Sequence, residues 1–320
     1  MKKKKFWLVS ALILMAVGIG LAAVGTAKGA SWNWRFNFKD FKIVSGSENF
    51  ITETQKLDAF DKIVVDTSTF DVNIVKGDDY SITYHVPDDQ KPEISNKNGV
   101  LTVNLEKDTG FTFLNIGFFG SDDDAYATIT VPDAGSTKIV DIESSTADIK
   151  ITDLNIDGSI STSTGDIRLN PNKMGDMRFT VSTGDIYIDN CTMNTLETKA
   201  STGETEIKNT VITGKYTAKT STGDVKISKS ELGAFALNGS TSDVTTSSTS
   251  IGNIKLETST GEVTLGLIGD KESYSMEIHT STGDIRIGNE EFEDDYKKVV
   301  STSNSIEIDT STGDVEIDFN

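Results

Sequence analysis

The sequence predicts an all-β chain, a β-solenoid (parallel β-helix-like) with coils of about 19 residues, preceded by one N-terminal transmembrane helix. Three observations predict it. A phrase of the form STGDI recurs, with its glycine at Gly165, Gly184, Gly203, Gly223, Gly261, Gly283 and Gly313 and a degenerate copy at Ser242, in steps of 19, 19, 20, 19, 19, 22 and 30 residues. Around each copy apolar or small residues alternate with polar ones, the period of a half-buried strand. An uncharged run, residues 6–27, follows four lysines at the N-terminus.

Residues 1–30 are read as cytoplasmic lysines and a membrane anchor. The run from Phe6 to Ala27 is long enough to span a bilayer, which needs about 20 residues. The apolar region of a cleaved signal is shorter, about 7–15 residues, so an uncleaved anchor is favoured. Gly25 to Ala27 still offers small residues for cleavage, and a cleaved leader stands as the alternative. Lys2 to Lys5 should stay in the cytoplasm by the positive-inside bias, which places a single-pass protein in the cell membrane with its C-terminal solenoid outside. Residues 31–56 form an aromatic juxtamembrane segment and linker, with Trp32, Trp34, Phe36 and Phe38 on alternate positions. Two readings stand for them: an interfacial belt at headgroup level, or a strand packed on the first coils.

Residues 57–320 make the solenoid. Counting from the motif glycine, positions −7, −5 and −3 read Met177, Phe179, Val181, then Leu196, Thr198, Ala200, and so on to Met276, Ile278, Thr280, one inward face of a first strand. Alternation resumes at +2 and +4 with Ile167 and Leu169, Ile186 and Ile188, Val225 and Ile227, Ile285 and Ile287, a second strand beyond a corner. A third apolar column at +9 holds Met174, Met193, Ile212, Leu232, Ile251 and Phe292, with Asp270 as a departure. Three inward sides predict a roughly triangular coil. Glycine suits the corner because it takes positive φ freely, and the adjoining Ser, Thr and Asp can bond turn backbone. The same frame extends upstream through Ile142, Ser144, Ala147 and Ile149, and through Ile63, Val65, Thr67, Phe70 and Val72. Between these copies residues 76–138 break the period. With turn signals at Lys76 to Asp79 and Asn96 to Gly99, they read as irregular, hairpin-like coils that cap the N-terminal end. EEFEDDYKK, residues 290–298, reads as a solvated loop.

The chain carries a net charge of −19, and its first 30 residues hold five lysines and no acid. The remainder sets 25 basic against 49 acidic side chains, a balance of −24. Nucleic acid is excluded as a partner on this charge, whereas cationic partners suit it. Cys191 is the single cysteine, so no internal disulfide forms, and its +7 position predicts partial burial.

The most suggestive chemistry is an acid at +1 of every copy: Asp71, Asp148, Asp166, Asp185, Glu204, Asp224, Asp243, Glu262, Asp284 and Asp314. Full charges one coil apart repel by about 1 kcal/mol even in a water-like dielectric. Lys150, Arg168, Lys226 and Arg286, two residues further on, compensate the acid of their own copy, whereas Asp185, Glu204 and Asp314 lack such a residue. Two readings stand: each carboxylate caps its own turn, or the column of Asp166, Asp185, Glu204, Asp224, Glu262, Asp284 and Asp314 binds cations or cationic peptides. The nonapeptide of calcium-binding β-rolls is absent, and one carboxylate per coil is a thin oxygen shell, so no metal site and no cofactor are assigned. His85 and His279 have no evident partner in sequence and read as surface histidines. No P-loop, nucleophile elbow, HExxH or paired-cysteine motif occurs. Acids repeated in every coil describe architecture rather than one catalytic centre, so no catalytic residue is assigned and a glycan-cleaving enzyme is a distant alternative.

The opening LDAFDKIVVDTSTFDVNIVKG, the central YATITVP and the serial STGDI and STGDV copies resemble the bacterial "putative adhesin" β-solenoid family of unknown function, which includes LiaG-like envelope proteins. The resemblance covers residues 57–320 and implies an extracytoplasmic, non-enzymatic solenoid, in some members connected with envelope stress. It offers no catalytic residue. The combined expectation is a binding or structural module at the cell envelope, adhesin-like, with an envelope protein or a glycan as partner. The alternative is sensing of, or protection from, cationic antimicrobial peptides.

Overall fold

The computed structural model describes residues 34–37, 42–45, 49–105, 125–132, 137–170 and 173–320. The expected anchor, residues 1–30, lies outside them, as do Trp32 and Phe38. Among the described residues no helix is long and apolar enough to cross a membrane. Two compact units form. One comprises residues 1–50, 87–89 and 108–124. Within it Trp34–Asn37 pairs antiparallel with Lys42–Ser45, with Phe36 opposite Ile43.

The second unit, residues 51–86, 90–107 and 125–320, is a stack of parallel coils. Each coil lays a long strand on one face and a short strand on the next. Lys173–Thr183 is followed by Ile186–Asp189, and Val211–Thr222 by Val225–Ser228. Period-two alternation decides which side of each strand is buried. Phe179, Val181, Ile186, Ile188, Tyr216, Ala218, Val225 and Ile227 are all buried, at about 1.5–3 kcal/mol for each large side chain. The Tyr216 and Phe235 rings stack at 5.1 Å, and the Tyr216 hydroxyl lies 3.0 Å from Thr198 Oγ1 within the core.

The third side is narrower than the other two. Ile156 stands opposite Met174, Met193 opposite Ile212, and Leu232 opposite Ile212 and Ile251, all in parallel register. Register shifts after Ile156 and Ile212 mark the bulges that join this side to the long face. The expected departure, Asp270, and one expected member, Phe292, fall elsewhere. Asp270 caps a 3-10 turn, Lys271–Ser273, by accepting the Glu272 N–H. Phe292 lies opposite Ile285 in an antiparallel strand, because the chain leaves the coil there to close the end of the stack.

The second corner, six residues past the motif glycine, is built from left-handed residues: Asp153 (φ 57°), Asn190 (59°), Asn209 (49°), Lys229 (50°) and Ser248 (50°). Asp and Asn tolerate this region because their short side chains bond locally, and Asn209 donates to Asp189 Oδ1 at 2.8 Å. Just inside runs a buried polar column. The backbone N–H groups of Cys191 and Thr210 donate to the next coil toward the C-terminus, to Thr210 Oγ1 at 3.3 Å and Ser230 Oγ at 3.1 Å. Cys191, Thr210, Ser230 and Thr249 each donate to a carbonyl two residues earlier. Cys191 is therefore fully rather than partly buried, and burial together with Asp189 pushes its thiol up to about 12.

Chain order and spatial order agree in the middle of the stack and part at both ends. Coil 62–77 lies between coil 138–152 and the pair Val100–Leu105 and Tyr126–Pro132. Beyond that pair, Glu93–Lys97 and Ser81–Pro87 run antiparallel. These two strands close that end of the coils, with Asn98 and Gly99 at positive φ in the turn between Glu93–Lys97 and Val100–Leu105. At the other end coil 304–319 lies between coil 250–267 and coil 274–287. Glu290–Phe292 and Asp295–Lys298 then close it antiparallel. Residues 290–298 are cap strands and not a solvated loop, and they account for the 30-residue step to Gly313. Charged edge strands of this kind discourage pairing with another sheet.

Two outcomes test this account. Lys229→Asn should raise stability by about 0.5–1 kcal/mol in denaturant unfolding, because it relieves a left-handed lysine that makes no ion pair among the described residues. A loss would show that the lysine stem packs usefully. Cys191 should resist a thiol reagent at neutral pH in the native protein and react on unfolding, while Cys191→Thr, which copies Thr210, should keep the native melt.

Candidate functional site along the acidic corner

The first corner carries the acids, and its geometry begins with the glycine. Gly184 has φ 139°, and a Cβ there would lie 2.2 Å from the Gly165 carbonyl oxygen; at Gly261, with φ 148°, it would lie 2.0 Å from that of Ser242. Only a residue without a side chain lets consecutive corners approach so closely. Ala147 and Ser242 take the same place without positive φ, and the Ser242 hydroxyl is buried with no hydrogen-bond partner.

This close approach brings each acid to the backbone of the next coil. The Asp71 carboxylate accepts the Asp148 N–H at 2.9 Å, Asp148 that of Asp166 at 2.8 Å, Asp166 that of Asp185 at 2.8 Å and Asp185 that of Glu204 at 2.7 Å. The rungs resume with Asp224 accepting from Asp243 at 3.1 Å and Asp243 from Glu262 at 2.8 Å. The last joins Asp314 to the Asp284 N–H at 2.9 Å, in the inverted order of the C-terminal coils. The carboxylate therefore does not cap its own turn but ties neighbouring turns together. Amide-to-carboxylate bonds are stronger than neutral ones and offset the repulsion along the column.

The two gaps in the ladder follow the glutamates. Among the described residues no such bond joins Asp224 to Glu204 or Asp314 to Glu262. The extra methylene carries the carboxylate past the amide. Glu204 instead meets Lys226 at 2.6 Å and Glu262 meets Thr264 Oγ1 at 3.2 Å.

Charge compensation differs from the sequence expectation. Arg168 does pair with Asp166, at 2.7 Å, and lies 3.9 Å from Asp148. Lys226, however, pairs across coils with Glu204, and Arg286 pairs with Glu316 and, at 3.7 Å, Asp318. Asp185 receives the Tyr187 hydroxyl at 2.8 Å, which with burial pushes that phenol up to about 12. Asp185 and Glu204 are thus well partnered. The spatially consecutive acids Asp224, Asp243, Glu262, Asp314 and Asp284 make no ion pair among the described residues. Asp243, placed by the degenerate copy, belongs fully to the ladder.

Beside the acids run two hydroxyl rails that the sequence expectation treated as turn chemistry alone. Ser145, Ser163, Ser182, Ser201, Ser221, Ser240, Ser259, Ser311 and Ser281 are exposed, and so are the threonines that follow them, from Thr146 to Thr282. Both histidines have partners: His279 Nδ1 lies 2.7 Å from Asp295, which raises its pKa, and His85 Nδ1 lies 2.8 Å from Thr52 Oγ1. Among the described residues no group of three His, Cys, Asp or Glu side chains is disposed to hold a metal.

The Toastrack DUF4097 family matches residues 60–318, and the chain belongs to it. Among solved structures, a "putative lipid binding protein" from Parabacteroides distasonis shares the fold, with a TM-score of 0.50 and 13% identity over 84% of this chain and 97% of its own. Two structures called "putative adhesin" also match. One, from Bacteroides fragilis, has a TM-score of 0.37 and 14% identity over 66% of this chain and 98% of its own. The other, from Parabacteroides distasonis, has a TM-score of 0.34 and 14% identity over 86% and 98%. No curated protein sequence matches the chain.

The ladder explains why Asp and Glu differ at one position. Glu262→Asp should restore the missing rung to Asp314 and raise stability by about 0.5–1 kcal/mol, while Asp185→Ala should lower it by about 1–2 kcal/mol and Asp185→Asn by less. Denaturant melts of the three variants check this, and destabilisation by Glu262→Asp would reject the inter-coil assignment.

Proposed function

We propose, from membership of the Toastrack DUF4097 family, that the chain is a non-enzymatic binding or structural module, adhesin-like, working outside a bacterial cell membrane to which residues 6–27 anchor it. One observation carries this reading: the exposed Ser and Thr rails repeat once per coil from residue 145 to residue 312, beside a ladder whose carboxylates already serve the backbone. A surface that repeats at the strand spacing of about 4.8 Å suits an extended, repetitive partner held by many weak contacts. A cell-wall glycan or an extended protein face has that character. No carboxylate of the column is set apart from its neighbours by a nucleophile or a tuned base, which argues against a single reacting centre.

A second reading has its own observation. Asp224, Asp243, Glu262, Asp314 and Asp284 form an acidic run without an ion pair among the described residues, and a balance of −24 over residues 31–320 would draw cationic peptides to it. Envelope-stress sensing or protection would follow from such capture.

The full chain in detergent, tested against purified cell-wall glycan and against polylysine over a salt series, separates the two. Adhesin-like binding predicts glycan pull-down that survives moderate salt and disappears in Ser201→Lys/Ser221→Lys/Ser240→Lys with the melt unchanged. Binding of polylysine alone, falling steeply with salt, would replace the first reading with the second.

A further inference from the structure

We propose that the coil formed by residues 304–320 is an exchangeable insert, and that the slot it fills, between coil 250–267 and coil 274–287, accepts the same segment of a second copy of this chain. From coil 155–170 to coil 250–267 each coil is laid against the one made before it. This one is inserted between two coils that both precede it in sequence. Asn304–Thr312 pairs in parallel with Val244–Thr260 on one side and Tyr274–Thr280 on the other, and Val315–Phe319 with Val263–Leu267 and Ile285–Ile287.

The slot is specific. Ile306, Ile308, Val315 and Ile317 complete the buried rows. Lys255 pairs with Glu307 at 2.7 Å on one flank, and Arg286 with Glu316 on the other. Gly313 brings its N–H to the Thr282 carbonyl at 2.9 Å, and Gly261 its own to Thr312 at 3.0 Å. The contacts are those of strand addition to two edges at once.

The tether is slight. Residues 299–303 carry the chain from the outer cap strand Asp295–Lys298, past the start of Tyr274–Thr280, into the slot. Val299 is 79% exposed; the Val300 N–H donates to Ser275 Oγ and the Val300 carbonyl accepts from that hydroxyl, each at 3.1 Å, and Thr302 Oγ1 donates to the Ser273 carbonyl at 2.7 Å. A coil supplied by another copy makes every contact of the native one, so exchange changes only the path of the tether. Lys298 stands opposite Met276 and Asn304 opposite Tyr274, two strand spacings apart. The crossing is about 9.6 Å sideways and about 6.7 Å along the strand. With Val300, Ser301 and Thr302 deleted, three Cα steps span at most about 11.4 Å, too short to pass around the intervening strand.

Two full-chain experiments test this. In the first, Lys255→Cys and Glu307→Cys chains are unfolded, refolded together and oxidised; these positions face each other across the slot, at a strand spacing that a disulfide can bridge. A disulfide between residue 255 of one chain and 307 of the other is expected in the mixture, and its absence from the cross-linked peptides would overturn the proposal. In the second, the chain lacking residues 300–302 should assemble at a higher mass than the wild type, with a native-like melt, and lose that assembly with Ile308→Asp. A native monomer would mean the coil still inserts within its own chain, and loss of the cooperative melt would mean no second copy supplies it. Either result overturns the proposal.

Discussion

Parallel strands stack at one spacing, about 4.8 Å, and a corner must keep that spacing while the backbone turns. At the first corner the turning backbone points its Cα at the carbonyl of the coil before, so that a side chain at Gly165, Gly184, Gly203, Gly261 or Gly313 would meet that oxygen at 2.0–2.2 Å. The bare corner then sets everything beside it. It brings the next amide within reach of an aspartate, it leaves the serine and threonine just before it facing outward, and it delivers the chain to the short face with its apolar residues pointing in. Where Ala147 and Ser242 stand instead of glycine, the backbone relaxes out of the positive region and the stack continues, because its neighbours hold the spacing.

The strengths of these interactions are unequal. A buried row of isoleucine, valine and phenylalanine side chains contributes several kcal/mol per coil, whereas a ladder rung contributes about 1–2 kcal/mol. The rungs therefore do not hold the stack up. They neutralise a cost that the corner would otherwise impose, and they give adjacent coils one longitudinal register. This division of labour leaves the hydroxyl rails free of structural duty, which is why they, rather than the acids, carry the proposed binding surface.

Much of the coil was legible in the sequence because burial follows alternation, a property of neighbours along the chain. Phe179, Ile186, Val225 and Ile278 fall where the period-two rows put them, and within the stretch that breaks the period Ser81–Pro87 and Glu93–Lys97 run antiparallel to their neighbours. Properties that depend on neighbours across coils were hidden. Lys226 sits two residues from Asp224 in sequence but pairs with Glu204, since long side chains lean toward the next strand as readily as along their own. The inserted place of coil 304–319 was invisible for a different reason. Coils 250–267, 274–287 and 304–319 all carry the same TSTG[DE] corner, and what fixes their order is that Glu290–Phe292 and Asp295–Lys298 already occupy the outer edge. Residues 290–298, acidic and short in apolar content, gave no strand signal, because an edge strand buries little.

The inversion of coil order at both ends also divides the chain by how freely its length can change. Between residues 138 and 267 each coil touches only the coils beside it and ends as it began, with the same corner and the same inward rows. A duplication or loss of one such unit there would leave the flanking joints as they are. The interlocked termini cannot be lengthened so simply, since each end coil is trapped between partners drawn from elsewhere in the chain. Genetic change in coil number is thereby channelled into the interior, and the reach of the rails becomes a quantity that can drift by whole repeats while both ends stay closed.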